Sequence, residues 1–216
     1  QMVELQRRVQ IRETIRTHLQ RERELYPRGI KVLSLFFIDK VDKYRVYDTD
    51  SDDGRNGEYA KMFEEEYTAL VSEMQRELGD DAYWAYLNRM DAHSSHQGYF
   101  SIDKKKGKKA RFVEGKVDRK TQTSDDTDAY DLIMRDKERL LSLDEPVRFI
   151  FSHSALREGW DNPNVFQICT LKTQGESEIR SRQEIGRGLR LCVNQNGERM
   201  DESVLGSEVQ ELNKLT

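Results

Sequence analysis

At 216 residues, with 36% hydrophobic and 35% charged content, the chain is long enough to bury the core of one α/β domain plus an extra element. No apolar run approaches the ~20 residues needed to cross a bilayer. The first residues are polar, so no signal peptide is expected, and two cysteines are too few for a disulfide framework or thiolate metal site. The formal charge of −4 does not exclude DNA binding, because the distribution of charge matters more than its total.

Residues 1–24 predict an amphipathic helix. Met2, Leu5, Val9, Ile11, Ile15 and Leu19 line about half its circumference, and Arg7, Thr14, His18 and Arg21 the other side. Pro27-Arg28-Gly29 breaks it before Lys31-Val32-Leu33-Ser34-Leu35-Phe36-Phe37-Ile38-Asp39, a strand. Residues 42–127 then read as an insertion between this first strand and the remaining sheet. Within it, Phe63, Tyr67, Leu70, Val71, Met74 and Leu78 mark a long helix. Ala82 to Met90 predict another, parted from it near Gly79-Asp80-Asp81. His93 and His96 stand near a loop with no further ligand evident, so they read as surface polarity and no metal site is expected. Tyr99 and Phe100 fit core packing at a strand start better than base stacking.

Residues 103–120 carry nine Lys/Arg against three acids, followed by clustered aspartates at 124–131. Such a segment reads as a solvated insertion, with contact to DNA phosphates through Lys104 and Lys105 as the competing reading. Asp128 to Leu143 predict a fourth helix with Asp126, Thr127 or Asp128 as its N-cap.

Val147-Arg148-Phe149-Ile150-Phe151 has the pattern of a strand buried on both faces of a parallel sheet. Ser152-His153-Ser154 and a short helical pattern ending at Gly159 follow. Trp160-Asp161-Asn162-Pro163-Asn164 makes a turn, since Pro163 disfavours helix at Asn162. Val165 to Leu171 is the next strand, with Cys169 as a small buried residue. Placed on a helix, Gln183, Gly186, Arg187 and Arg190 share one face, while Ile185 and Leu189 fall roughly opposite. Gly186 and Gly188 each cost such a helix about 1 kcal/mol relative to Ala, so something other than helix stability selects them. Two arginines and an amide over a glycine suit an anionic group. Beyond Asn194, with a turn at Asn196-Gly197-Glu198-Arg199, the chain is expected to be loosely ordered.

Gln183-x-x-Gly186-Arg187-x-x-Arg190 resembles motif VI of superfamily 2 helicases and translocases. Ser152-His153-Ser154-Ala155-Leu156-Arg157-Glu158-Gly159-Trp160-Asp161 between two strands resembles motif V, and Lys31 to Asp39 the motif IV strand. Gly98-Tyr99-Phe100-Ser101-Ile102-Asp103-Lys104-Lys105, Asp144 to Asp161 and Arg182 to Leu191 narrow the likeness. They look like the restriction (Res) subunit of type III restriction-modification enzymes, over about residues 1–195. The resemblance implies a RecA-like, doubly wound, mostly parallel α/β fold with helices on both faces. Residues 1–216 would be the second motor domain of an ATP-dependent DNA motor and endonuclease.

In that role Arg187 and Arg190 would be catalytic, stabilising the transferring phosphate of ATP. Gly159, Asp161, Gln183 and Gly186 would form the nucleotide side of the site. Ser152, His153, Ser154 and Arg157 would contact the backbone of double-stranded DNA. The implied partners are the first motor domain and nuclease domain of the same polypeptide and a methyltransferase (Mod) subunit that reads sequence. The implied setting is the bacterial cytoplasm, with no membrane.

ATP and Mg²⁺ would serve the intact enzyme, with Mg²⁺ held by the first motor domain. Gly107-Lys108-Lys109 and Gly115-Lys116-Val117 lack the Ser/Thr of a phosphate-binding loop. Asp144-Glu145-Pro146 precedes a strand instead of ending one. The 216 residues alone are therefore expected to bind no cofactor and to have no ATPase activity. Asp103 with Glu114-Gly115-Lys116 mimics a nuclease signature without convincing strands, so the nuclease is expected beyond residue 216. Two alternatives are another superfamily 2 DNA helicase, which would lack the Gly98–Lys105 likeness, and a non-enzymatic DNA-binding or assembly module.

Overall fold

The computed structural model describes residues 2–46, 55–78, 81–100, 131–153, 162–171 and 191–212. Among these, six strands form in chain order: β1 (Leu33–Phe37), β2 (Arg45–Val46), β3 (Arg55–Asn56), β4 (His96–Tyr99), β5 (Phe149–Ser152) and β6 (Val165–Thr170). The principal sheet has the order β4-β5-β1-β6, and every neighbouring pair is parallel. Leu35 lies opposite Ile150 on one side and Ile168 on the other. All five residues of β1 are buried, Ser34 included, as befits a strand covered on both faces. β2 and β3 make a separate antiparallel pair.

The pleat of the strands sorts their side chains into two cores. On one face Phe36, Phe149 and Phe151 pack with Ile11, Ile15 and Leu19 of α1 (Met2–Leu25) and with Phe63, Tyr67 and Leu70 of α2 (Glu58–Leu78). Phe36 and Phe151 stack with centroids 4.5 Å apart. On the opposite face Leu33, Leu35, Phe37 and Ile150 pack with Leu132, Ile133 and Leu140. Helices therefore cover both faces, as expected for a RecA-like α/β domain. Each such large apolar side chain contributes about 1.5–3 kcal/mol by leaving water. A third cluster joins Leu25, Ile30, Val32 and Phe166 to Cys192 and Met200.

α1 and α2 run in the same direction, and ion pairs record it. Arg8 reaches Glu65 and Glu66 at 2.7 and 3.0 Å, and Arg12 reaches Glu66 and Glu73 at 2.8 and 2.6 Å. These pairs lie near solvent, so each contributes at most about 1 kcal/mol. They set the register of the two helices more than their stability.

Several expectations need correction. The apolar stripe of α1 is buried only from Ile11 onward; Met2, Leu5 and Val9 are 86%, 64% and 51% exposed. The sheet lies under the later turns of the helix alone, and there His18, assigned to the polar side, is fully buried. The segment 42–127 is not wholly an insertion, because its residues 96–99 form β4 at the edge of the principal sheet. The helix after Asp81 ends earlier than expected: α3 spans Ala82–Leu87, with the Asp81 carboxylate accepting from the Tyr83 amide at 2.7 Å.

The helix expected from Asp128 to Leu143 is divided within the described residues. Residues 131–134 are helical, and Asp136 then caps a new helix, Lys137–Leu141, accepting from Arg139 N at 3.1 Å. A short acidic side chain competes for backbone N–H groups in this way and interrupts a helix. Cys169 is half-buried, whereas Cys192 is the fully buried cysteine. As far as it is described, the segment after Asn194 is folded: Val193 bridges to Arg199, the Asn194 side chain accepts from the amides of Asn196 and Glu198, and Met200 is buried. The basic segment 103–120 and the start of the expected fourth helix lie outside the described residues.

Candidate functional site

Because β1, β4, β5 and β6 are parallel, their carboxyl ends share one edge, where α/β sheets place their ligands. β5 ends at Ser152 and β6 at Thr170. The motif V segment follows β5 and the motif VI segment follows β6, so both leave the sheet from this edge. Ser152 is buried, and its carbonyl accepts from Ile38 N at 2.9 Å. Next to it His153 is half-buried, and its Nδ1 has no hydrogen-bond partner. The remaining expected site residues lie outside the described residues: Lys104, Lys105, Ser154, Arg157, Gly159, Asp161, Gln183, Gly186, Arg187 and Arg190.

What the described residues fix are the points where these segments rejoin the fold. Asn162, directly after Asp161, and Asn164 are both fully buried on either side of Pro163. The Asn162 side chain accepts from Asn164 N at 2.9 Å, so Asn162 and Asn164 close the turn locally. The Asn164 amide donates to Lys31 O and Val193 O, and its oxygen accepts from Val193 N, all at 2.9 Å. One side chain thereby ties the exit of the motif V segment to the start of β1 and to the chain just after the motif VI segment. Leu171, at the entry to the latter segment, is buried and donates its N–H to Phe37 O at 2.7 Å. Sequence reading located the turn but missed the anchoring role of Asn164. Two asparagines flanking a proline were the available signal.

A buried polar network lies at the other end of the strands. Arg148, just before β5, donates to Glu22 of α1 at 2.6 Å and to the Tyr67 hydroxyl of α2. Tyr83 of α3 also donates to Glu22, at 2.8 Å. His18 Nδ1 is 2.7 Å from Ser34 Oγ. With the Gln167 amide oriented to donate to Ser34 Oγ at 2.9 Å and to Thr14 O at 3.0 Å, the Ser34 hydroxyl is free to donate to His18. That assigns the His18 proton to Nε2, which faces Glu22 at 3.6 Å.

Burial pushes the Glu22 carboxyl up, but Arg148, with His18 and Tyr83, outweighs it and holds the group at about 2. Burial dominates at His18 and lowers its pKa, so the ring is neutral. Lys31 is also buried, donating to Glu145 O at 2.5 Å; burial, reinforced by Arg148, pulls its ammonium down to about 7. This network joins α1, α2, α3 and the sheet away from the carboxyl edge. Its hydrogen bonds hold these elements to one another.

Gly98 in the segment Gly98–Lys105 has a local reason. A Cβ there would come within 2.5 Å of the Tyr44 ring and 2.6 Å of the Phe100 ring. Tyr99 is buried in the core and Phe100 packs against the aromatic face, as expected of core residues.

A parallel sheet covered by helices on both faces defines the class: an α/β domain of the RecA-like kind. Comparison with known proteins narrows it. No family model matches the chain. The EcoPI Res subunit of Escherichia phage P1, a type III restriction-modification enzyme subunit, is 42% identical over 192 residues, covering 86% of this chain and 17% of that protein. The EcoP15I Res subunit of Escherichia coli is 43% identical with the same coverage. The StyLTI Res subunit of Salmonella typhimurium is 36% identical over 185 residues, covering 79% of this chain and 17% of that protein. Over the matched residues the chain belongs to the family of type III restriction-modification Res subunits. It spans about a sixth of the length of these relatives. Among the described residues no helix is long and apolar enough to cross a membrane.

Proposed function

We propose that this chain acts as the second motor domain of an ATP-dependent type III restriction enzyme. Its carboxyl edge would close over ATP bound by a first motor domain. Arg187 and Arg190 would neutralise charge on the transferring phosphate, because a guanidinium fork stays protonated and needs little reorganisation. Gln183 and Gly186 would sit beside them against the nucleotide. Gly159 and Asp161 would connect that pocket to the DNA-facing loop. His153, Ser154, Arg157, Lys104 and Lys105 would meet DNA phosphates, contacts that give affinity without sequence reading. Ser152 is buried, so its contribution would come through the backbone at the strand end. Sequence recognition would belong to a Mod subunit, DNA cleavage to a nuclease domain, and Mg²⁺ to the first motor domain.

The observation that carries this reading is the attachment of both motif segments to one carboxyl edge in a chain 36–43% identical to Res subunits. Asn164 supports it further by fastening the return points of the two segments to a common place.

The test is Arg190→Ala in the complete motor, with both motor domains and Mod present. DNA-stimulated ATP turnover should fall by about 10³-fold or more, while DNA affinity changes little. Equal turnover in variant and parent would reject the arginine assignment. A large loss of DNA affinity with turnover preserved at saturating DNA would favour a binding module.

A further inference from the structure

We propose that Glu64, His93 and His96 form a divalent-cation site suited to Zn²⁺, with a structural role. The spacing of the two histidines reads as surface polarity, which holds for the exposed His93 but not for His96. His96 opens β4 and is buried, only 3% exposed, while His93 lies on the preceding turn. The third group comes from α2, some thirty residues earlier in the chain, which no local spacing reveals. Glu64 Oε1 lies 2.9 Å from His93 Nδ1 and 3.2 Å from His96 Nε2. All three ligand atoms lie within 4.8 Å of one another.

These separations suit coordination. Zn²⁺ holds nitrogen and oxygen at about 2.0–2.2 Å in a tetrahedron, which places ligand atoms about 3.4 Å apart. Two imidazoles and a carboxylate are a donor set that Zn²⁺ accepts and that Mg²⁺ or Ca²⁺ would not select. Hydrogen-bond accounting points the same way. Asn56 Nδ2 also approaches Glu64 Oε1, at 2.8 Å, so three nitrogens converge on one oxygen that offers two lone pairs. A cation shared by the oxygen and the two imidazoles relieves that crowding and leaves Asn56 as the orienting donor.

The outer groups are also in place. His96 Nδ1 is 2.8 Å from the Tyr44 hydroxyl, which fixes the ring with Nε2 toward Glu64. Phe63 and Phe151 pack around the same imidazole. On the other side the His93 side chain is 75% exposed, so water can complete the coordination.

Position argues for structure over catalysis. His96 pairs with Phe149, and it is Tyr99 that pairs with Ser152 at the carboxyl edge. Three residues of strand place the site about 10 Å from that edge. The ion would pin α2 to the turn that enters β4, independently of the motor reading.

The protein, freed of metal by chelation, is titrated with Zn²⁺, and Co²⁺ is used as a visible reporter of geometry. One Zn²⁺ per chain is expected, with a tetrahedral Co²⁺ spectrum and an upward Tm shift on saturation. His93→Ala removes an exposed ligand and leaves the core alone. Glu64→Gln keeps the hydrogen-bonding shape but loses the charge. Each should weaken Zn²⁺ binding at least tenfold, since even outer-sphere losses weaken metal sites about 10–100-fold, and should remove the Tm shift. The proposal is overturned if the parent protein takes up no Zn²⁺ at micromolar concentration, or if either variant binds it as tightly as the parent.

Discussion

Replacing Arg148 by methionine tests how the buried network holds the α1–α2 face to the sheet. Arg148 and Glu22 are both fully buried and 2.6 Å apart. The substitution keeps much of the side-chain volume but leaves a carboxylate in the core without its cation. Breaking one partner of such a pair costs about 3–5 kcal/mol, a large share of the roughly 5–15 kcal/mol that stabilises a typical domain. The pH dependence carries a sign that separates this cause from a packing defect. In the parent, Glu22 is held at about 2 against an ordinary 4.5, so its stabilising contribution is present above pH 4.5 and fades as the pH falls toward 2. Without Arg148 burial dominates and lifts the carboxyl above 4.5; stability is then fullest at low pH and is lost as pH rises. The deficit of Arg148→Met should therefore be largest at pH 7 and should shrink by pH 4. Pairing it with Glu22→Leu should recover most of the loss, because the stranded charge has gone. Urea unfolding followed by far-ultraviolet circular dichroism at pH 4, 5.5 and 7 measures all three proteins. A single-variant deficit below about 1 kcal/mol at pH 7, or one that grows toward pH 4, would refute the reasoning.

Two further substitutions probe other parts of the frame. Asn164→Ala removes three hydrogen bonds of 2.9 Å, stranding the buried Lys31 carbonyl and the part-buried N–H and carbonyl of Val193, so urea unfolding should register a loss of about 2–4 kcal/mol. A loss below about 1 kcal/mol would show that the turn is held by other means. Lys31 has a folded pKa of about 7 against 10.5 unfolded, so the folded state sheds a proton that the unfolded chain retains between those values. Stability should accordingly rise with pH across that window. Lys31→Met should flatten the rise, narrowing its advantage over the parent by on the order of 3 kcal/mol between pH 6 and pH 10. Parallel pH profiles for parent and variant would contradict the assignment.

The local signals that proved readable were those with one dominant physical cause. The apolar run Phe149–Phe151 calls for cover on both faces, and a buried parallel sheet supplies it. The apolar spacing of Phe63, Tyr67 and Leu70 predicts a helix, and in α2 those residues pack on that sheet. The sequence puts a strand start at Tyr99, whereas β4 ends there, because the preceding His96-Gln97-Gly98 is polar and short. It is a strand because β5 offers an open edge, and Gly98 lets Tyr44 and Phe100 approach. α1 misled for a related reason: periodicity shows which residues can share a face, not how far the underlying sheet extends. Its first turns thus leave Met2 and Leu5 exposed, while His18 and Glu22 are buried against polar partners from other elements.

The sequence by itself determined the fold class, the strands that become β1, β5 and β6, and the resemblance of the segments after β5 and β6 to nucleotide- and DNA-handling motifs. Those are properties of contiguous residues, set by hydrophobic period, turn chemistry and local spacing. Tertiary structure decided what distant residues do together. It set Asn164 across Lys31 and Val193, Glu22 against Arg148, and Glu64 between His93 and His96. Each of these depends on distance and desolvation among groups that only chain folding brings into contact, and no periodicity along the chain encodes them.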